Sequence, residues 1–240
     1  MELNNLTLET KTLYETIADK MELMILNDRT QLEQKLPSEQ FLAEAFGVSR
    51  PVIREAIKLL KERGLIKSRQ GAASVITKPG VETLTKNMSR ITLSESISPM
   101  EIYQIRIVLE TFGAGLAAQN PTPESVARMR QLNDQLLEHM DDPAETARTD
   151  MALHHEIWAA SKNTLLEMML SSISVILRPL LEKTVTSREL ILDGNQFHRQ
   201  IIDAITQGDA KTASDLIHAH LMLSARNYEY FENFRVGEED

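Results

Sequence analysis

Leu36-Pro37-Ser38-Glu39-Gln40-Phe41-Leu42-Ala43-Glu44-Ala45-Phe46-Gly47-Val48-Ser49-Arg50-Pro51-Val52-Ile53-Arg54-Glu55-Ala56 is the stretch on which the fold turns. It holds two helix starts separated by one helix stop. Ser38 can cap a helix whose first turn carries Glu39, because a short side-chain oxygen accepts from the free amides there and a carboxylate suits the positive end of the helix dipole. Phe41, Leu42, Ala45 and Phe46 make the apolar stripe of that helix, and Gly47 stops it. Two residues on, Ser49 can cap a further helix, with Pro51 tolerated in a first turn that has no use for its missing amide. That helix runs to Gly64. On a 3.6-residue wheel Arg50, Arg54, Lys58 and Lys61 share one sector, and Ile53, Ala56, Ile57 and Leu60 the adjoining one. One face is built for burial and the other for an anionic partner.

Upstream, Leu13, Ile17, Met21, Met24 and Ile25 recur at helical spacing until Asn27-Asp28 breaks the pattern. Downstream, Leu65 to Thr77 reads as two short strands around a turn at Gln70-Gly71-Ala72-Ala73. Helix, short helix, turn, helix and hairpin is the order of a winged helix-turn-helix, whose third helix is presented to the major groove. Arginines at the start of that helix can make bidentate bonds to guanine or phosphate, and Ser49 with the helix-start amides suits a phosphate. The chain as a whole has a net charge of −9. Residues 1–77, however, carry eleven Lys/Arg against eleven Asp/Glu, so the deficit lies wholly in residues 78–240. Between residues 49 and 71 seven basic residues face only Glu55 and Glu62, a local basic patch on an acidic protein.

From Lys78 to about Pro99 no apolar period is sustained, and Pro79-Gly80 followed by a Ser/Thr-rich tract reads as a linker. From Met100 the pattern is helical almost throughout. Breaks are expected at Asn120-Pro121-Thr122-Pro123, Asp141-Asp142-Pro143, Lys162-Asn163 and Gln207-Gly208-Asp209. The expected fold is therefore mainly α: an N-terminal winged helix-turn-helix over residues 1–77, a linker over 78–99, and a C-terminal all-helical antiparallel bundle over 100–240. A length of 240 residues favours two domains. The absence of cysteine excludes disulfides and thiolate chemistry, so any metal must be held by His, Asp or Glu. No apolar run is expected to reach the length of a bilayer span, and Met1-Glu2-Leu3-Asn4-Asn5 lacks the basic and apolar blocks of a signal peptide. A cytoplasmic protein with no membrane partner is expected.

Asp150 and His154 are four residues apart and so project from one helix face, flanked by Met151, Ile157 and Trp158. His198 is in register with Ile201, Ile202 and Ile205 on a second helix, and His220 with Ala213, Leu216 and Ile217 on a third. Three imidazoles and one carboxylate on inward stripes make a site for a divalent metal ion: zinc, nickel, manganese or iron. His155 and His218 turn towards other faces and are expected at the surface, as is His139. No Ser or Thr nucleophile motif, HExxH or phosphate-cradling glycine loop is present, so no enzyme is expected. A metalloenzyme using Asp150, His154, His198 and His220 is the alternative from another class.

These residues carry a family resemblance. Leu36-Pro37-Ser38-Glu39, Leu42-Ala43 and Val48 to Ala56, with Gly64-Leu65-Ile66 and Arg69-Gln70-Gly71, resemble the GntR family of bacterial regulators. The resemblance places Ser49, Arg50, Pro51, Val52 and Arg54 where the recognition helix meets DNA, and Gln70 and Gly71 where the wing enters the minor groove. Gln40, where many members have Arg, and Ala73, in place of a common wing glycine, depart from the pattern. Asp150-x-x-x-His154, Asn163, Phe197-His198-x-x-Ile201 and His220-Leu221 resemble the FCD effector domain of the FadR subfamily, in whose metal-binding members an Asp and three His hold a divalent ion. Arg106-x-x-Leu109-Glu110 is similar to the motif at that domain's start, which makes Arg106 an effector contact; its alternative is a surface ion pair with Glu110 at i+4. Four protein ligands on a six-coordinate ion leave room for a chelating hydroxy acid or sugar acid, its charge met by Arg106. The expectation is a ligand-responsive homodimeric repressor on double-stranded operator DNA, sensing a small carboxylate. An acyl-CoA-responsive regulator of the same fold stays open.

Overall fold

The structure is a computed structural model that describes residues 11–28, 32–68, 74–184 and 187–236. The chain divides into two compact units, Met1–Thr83 and Leu84–Asp240.

The first unit contains α1 (Leu13–Asn27), α2 (Glu39–Phe46), α3 (Arg50–Glu62), β1 (Ile66–Lys67) and β2 (Val75–Ile76). α1 opens where the Thr12 amide donates to the Glu15 carboxylate at 2.7 Å. α2 opens where Ser38 Oγ accepts from the Phe41 amide at 3.2 Å, and closes at Gly47, whose φ of 66° is open to glycine at little cost. Ile17, Met21 and Ile25 of α1, Leu42 of α2, and Ile53, Ile57 and Leu60 of α3 close on one another as the core. Each such side chain removed from water is worth about 1.5–3 kcal/mol. Leu42 and Ala43 are the buried pair on α2, whereas Phe41, expected in the stripe, is 59% exposed. β1 and β2 pair antiparallel with Ile66 opposite Ile76. The wing tip, including Gln70, Gly71 and Ala73, lies outside the described residues.

Residues 81–94, read from sequence as linker, form a helix, α4 (Val81–Ser94). The difference has a physical reason. Val81, Leu84, Met88 and Ile91 do recur at helical spacing, and the hydroxyls that suggested a loop fold back onto the helix: Thr92 Oγ1 donates to the Met88 carbonyl at 2.9 Å and Ser94 Oγ to that of Ile91 at 3.0 Å.

The second unit continues with α5 (Pro99–Gln119), α6 (Pro123–Glu138), α7 (Pro143–Ala160), α8 (Thr164–Thr184), α9 (Arg188–Gln207) and α10 (Ala210–Val236). α5, α6 and α7 each begin with proline directly after a capping residue, Ser98, Thr122 and Asp142, whose side chains accept from first-turn amides. All four expected breaks fall between helices. A fifth, between α8 and α9, was not expected; Ser187 is the N-cap of α9. α5 packs against α7, α8, α9 and α10. Gly115 lets α10 close in, since a Cβ there would lie 2.7 Å from Ser214 Oγ. Leu153 and Ile157 of α7, Ile201 and Ile205 of α9, and Ile217 and Leu221 of α10 form the main core.

α8 corrects the expectation about apolar runs: Thr164–Glu182 is long and apolar enough, by length and composition, to cross a membrane. In the fold Leu166, Leu170, Ile173, Leu177 and Leu181 are buried at a helical period, so that one face of α8 belongs to the unit's interior. Leu165 and Met169 remain exposed, as do Ile105, Val108 and Phe112, which recur along one stripe of α5. The two helices are neighbours, with Leu166 of α8 only 3.2 Å from where a Cβ on Gly113 would sit.

Candidate functional sites

α3 is amphipathic as its sequence demands. Ile53, Ala56, Ile57 and Leu60 are buried, while Arg50, Arg54, Lys58 and Lys61 are exposed. Ser49 and Pro51 are also exposed and Val52 is half-buried, so the helix start stands open to solvent. Ser49 has the extended backbone of an N-cap, but its hydroxyl makes no cap hydrogen bond. Arg54 is held by Glu39 at the start of α2: its Nη2 donates to Oε2 at 3.0 Å, with Nε 3.4 Å from Oε1. That hydrogen bond keeps the Glu39 carboxyl below its ordinary range despite slight burial. Arg50 makes no such pair among the described residues. Gln40 bonds Glu44 at 3.1 Å along α2.

The polar centre of the second unit is buried. Asp150 and His154 come from α7, His198 from α9 and His220 from α10, and one donor atom from each lies within 4.8 Å of all the others. His198 Nε2 is 3.1 Å from His220 Nε2 and 3.5 Å from Asp150 Oδ1, and His154 Nε2 is 3.9 Å from Asp150 Oδ2. Donors about 2.1 Å from one ion and at right angles to each other stand about 3 Å apart, so this spacing suits a single ion. The chemistry agrees. His154 Nε2 is buried without a hydrogen-bond partner, and a carboxylate with imidazole lone pairs around one point calls for a cation. Burial, then the neighbouring cationic groups, pushes His198 well below its usual value, and His220 likewise, which favours the neutral ligand form. The cluster can hold a metal ion. His155 and His218 are exposed, as their register implied, while His139, at the end of α6, is half-buried.

Arg106 does pair with Glu110 at i+4, but not on a surface: the two side chains are 2% and 0% exposed. Glu110 also reaches across to α7, where its Oε2 is 2.5 Å from His154 Nδ1. Burial alone would raise the Glu110 pKa; the Arg106 guanidinium and His154 overcome this and hold it far below the carboxylate range. Arg106 Nη2 is buried with no partner. Arg106, Asp150, His198 and His220 line one pocket, together with Thr146, Asn195, Ser224, Asn227 and aliphatic side chains. The four metal-type residues and Arg106, all expected from the sequence, thus meet in the second unit. Glu110 as a partner of His154, and Thr146, Asn195, Ser224 and Asn227 in the pocket wall, were not expected. Glu110 did carry a signal, because it shares a helical stripe with Tyr103, Arg106 and Ala114.

A winged helix-turn-helix with a cationic third helix, followed by a helical unit that encloses a pocket over a ligand-type centre, defines a ligand-responsive DNA-binding regulator. The family model for bacterial regulatory proteins of the gntR family matches residues 13–76, and that for the FCD domain matches residues 101–222. The chain belongs to the GntR family of transcription regulators, with an FCD effector domain. It is 28% identical over 230 residues to the HTH-type transcriptional repressor NanR of Salmonella arizonae, covering 92% of this chain and 86% of that protein. It is 29% identical over 231 residues to NanR of Citrobacter rodentium, at 91% and 86% coverage. Among solved structures a Streptococcus agalactiae GntR protein matches with a TM-score of 0.65 at 28% identity, over 89% of this chain and all of that one. These relatives are regulators, and the metalloenzyme alternative finds no support among them.

Proposed function

We propose that the protein is a homodimeric repressor that binds a two-fold operator in the cytoplasm, and whose grip on DNA is set by a small carboxylic acid bound beside a divalent metal ion. Residues 1–77 read DNA, with Ser49, Arg50, Pro51, Val52 and Arg54 at the major groove and Gln70 and Gly71 at the wing. Residues 100–240 sense the effector, and the intervening 78–99 connect them. The repressor reading is supported by the relatives' names, and the operator reading by the exposed cations of α3. The dimer reading is supported by the apolar stripes of α5 and α8, which a second copy would cover.

The observation that carries the effector reading is the unpartnered Nη2 of Arg106 in the same pocket wall as Asp150, His198 and His220. A guanidinium with a free donor takes a carboxylate, and a metal held by four side chains keeps positions for that acid's oxygens. Asp150, His154, His198 and His220 hold the ion, which supplies Lewis-acid sites for a chelating ligand; zinc, nickel, manganese and iron all suit such donors. Arg106 is the only Lys or Arg among the described residues that line the pocket, and beyond Asp150, His198 and His220 the other polar ones are neutral hydroxyls and amides. A hydroxy acid or sugar acid with one carboxylate fits better than a dicarboxylate or an acyl-CoA. A thermal-shift screen of such acids, with and without added metal, tests this. A true effector raises the melting temperature as its concentration exceeds its dissociation constant, and only when metal is present. Stabilisation that survives a chelator would sink the metal-dependent reading and favour an acyl-CoA-type ligand.

A further inference from the structure

Glu110 has no exposed surface, yet both of its oxygens are committed to different helices' business. One accepts from Arg106 Nε on its own helix, α5; the other faces His154 Nδ1 on α7 at 2.5 Å. An ionised carboxylate can only accept, so the proton between them belongs to Nδ1 and the lone pair of the ring is left on Nε2. That Nε2 is the atom without a partner, and it belongs to the cluster formed with Asp150, His198 and His220. On the other side, the bond to Nε anchors one edge of the Arg106 guanidinium and leaves Nη2 unpartnered.

We infer that Glu110 is a positioning residue that, through one buried carboxylate, fixes the tautomer and aim of the metal ligand His154 and the aim of the effector-binding Arg106. This rests on reading the four-residue cluster as a metal centre. An ion pair that served the fold alone would not need the second oxygen on His154, and a metal ligand without such a partner would be free to turn or to lose its proton from the wrong nitrogen. Glutamine cannot replace it in full. Its single oxygen can serve Nδ1 or Nε, and its NH2 must then face the other donor.

The test uses full-length protein with histidine labelled in the ring nitrogens, stripped of metal and kept at a pH where the imidazoles are neutral. In the wild type His154 should show a single tautomer, protonated at Nδ1. In Glu110→Gln the signal should become a mixture of tautomers, and affinity for zinc or nickel alone should fall about tenfold to a hundredfold. Since Glu110→Gln leaves the Arg106 charge uncompensated and the variant can fail to fold, Glu110→Leu with Arg106→Met removes both charges and the acceptor for His154 Nδ1 together. That double variant should fold and show the same loss of metal affinity. A folded variant of either kind with wild-type metal affinity and His154 still protonated at Nδ1 overturns the inference. If the wild type itself binds no divalent ion, the metal reading falls, and the tautomer spectra alone decide whether Glu110 orients His154.

Discussion

The two regions that carry charge inward and outward in this protein are built on opposite terms. On α3 the Arg54–Glu39 pair has side chains 55% and 33% exposed, and Arg50 makes no ion pair of that kind among the described residues. In the second unit the Arg106–Glu110 pair is sealed, at 2% and 0%, and is tied on to His154. An exposed ion pair trades protein contacts for water at almost no net gain. A buried one is held in place by the penalty for breaking it, because the group left behind has no water to turn to. Charge at the surface is thus available to a partner and can be edited one residue at a time. Charge in the interior acts as a unit.

The comparison breaks most sharply at Arg106. Arg106→Ala strands the Glu110 carboxylate and should destabilise the second unit by about 3–5 kcal/mol, read by denaturant unfolding. A loss no larger than that of a surface substitution would show that the buried network is not a unit. His198→Ala should lower both bound metal, measured by elemental analysis, and melting temperature, since a site's binding energy also stabilises the fold. His155→Ala and His218→Ala should change neither, and a loss of metal in His218→Ala but not in His220→Ala would mean the register of α10 is misjudged.

On α3, Arg50→Ala should cost about 1–3 kcal/mol of operator affinity if it reads a guanine edge, with the penalty confined to one position of the half-site. Lys61→Ala should weaken all sequences alike and make the salt dependence shallower. Acid should act first on the buried centre. The folded state keeps His198 and His220 neutral below their ordinary value near 6.5, so the unfolded chain takes up protons first as pH falls. Stability of the metal-free protein should therefore decline as pH drops through that value, and decline again once unfolded glutamates protonate while Glu110 does not. A melting temperature that is flat from pH 7 to about 5 would contradict this. The smallest effect is expected from Glu39→Gln, which loosens Arg54 with a change in stability near the limit of measurement, yet should shift operator selectivity if the pair aims the guanidinium.

What was legible in the sequence follows from range. Caps and stops such as Ser38 and Gly47 act within one turn, and the aliphatic face of α3 declares itself by period, so the first unit could be read almost residue by residue. The ligand-type histidines were legible for the same reason, since each sits in register with isoleucines or leucines that must face inward. α4 was missed because its hydroxyls suggested a loop and its apolar residues, half-buried at Val81, Leu84 and Met88 and exposed at Ile91, make only a weak stripe. The break before Ser187 was missed because no Gly or Pro marks it. Glu110 was seen as a partner at i+4, but its burial and its bond to a histidine 44 residues away depend on how α5 meets α7, which no local pattern states.

The open start of α3 has one more consequence. Ser49 sits in the conformation of a cap without acting as one, and Pro51 brings no amide to the first turn. The helix that would read the operator is thus finished everywhere except at the end that touches it, and a phosphate oxygen accepting from Ser49 and the Arg50 amide would complete it. DNA would then serve as the missing terminal residue of the protein's own secondary structure, and amide exchange in that turn would slow on a duplex before any base is recognised, with the correct sequence adding only the final increment of rigidity.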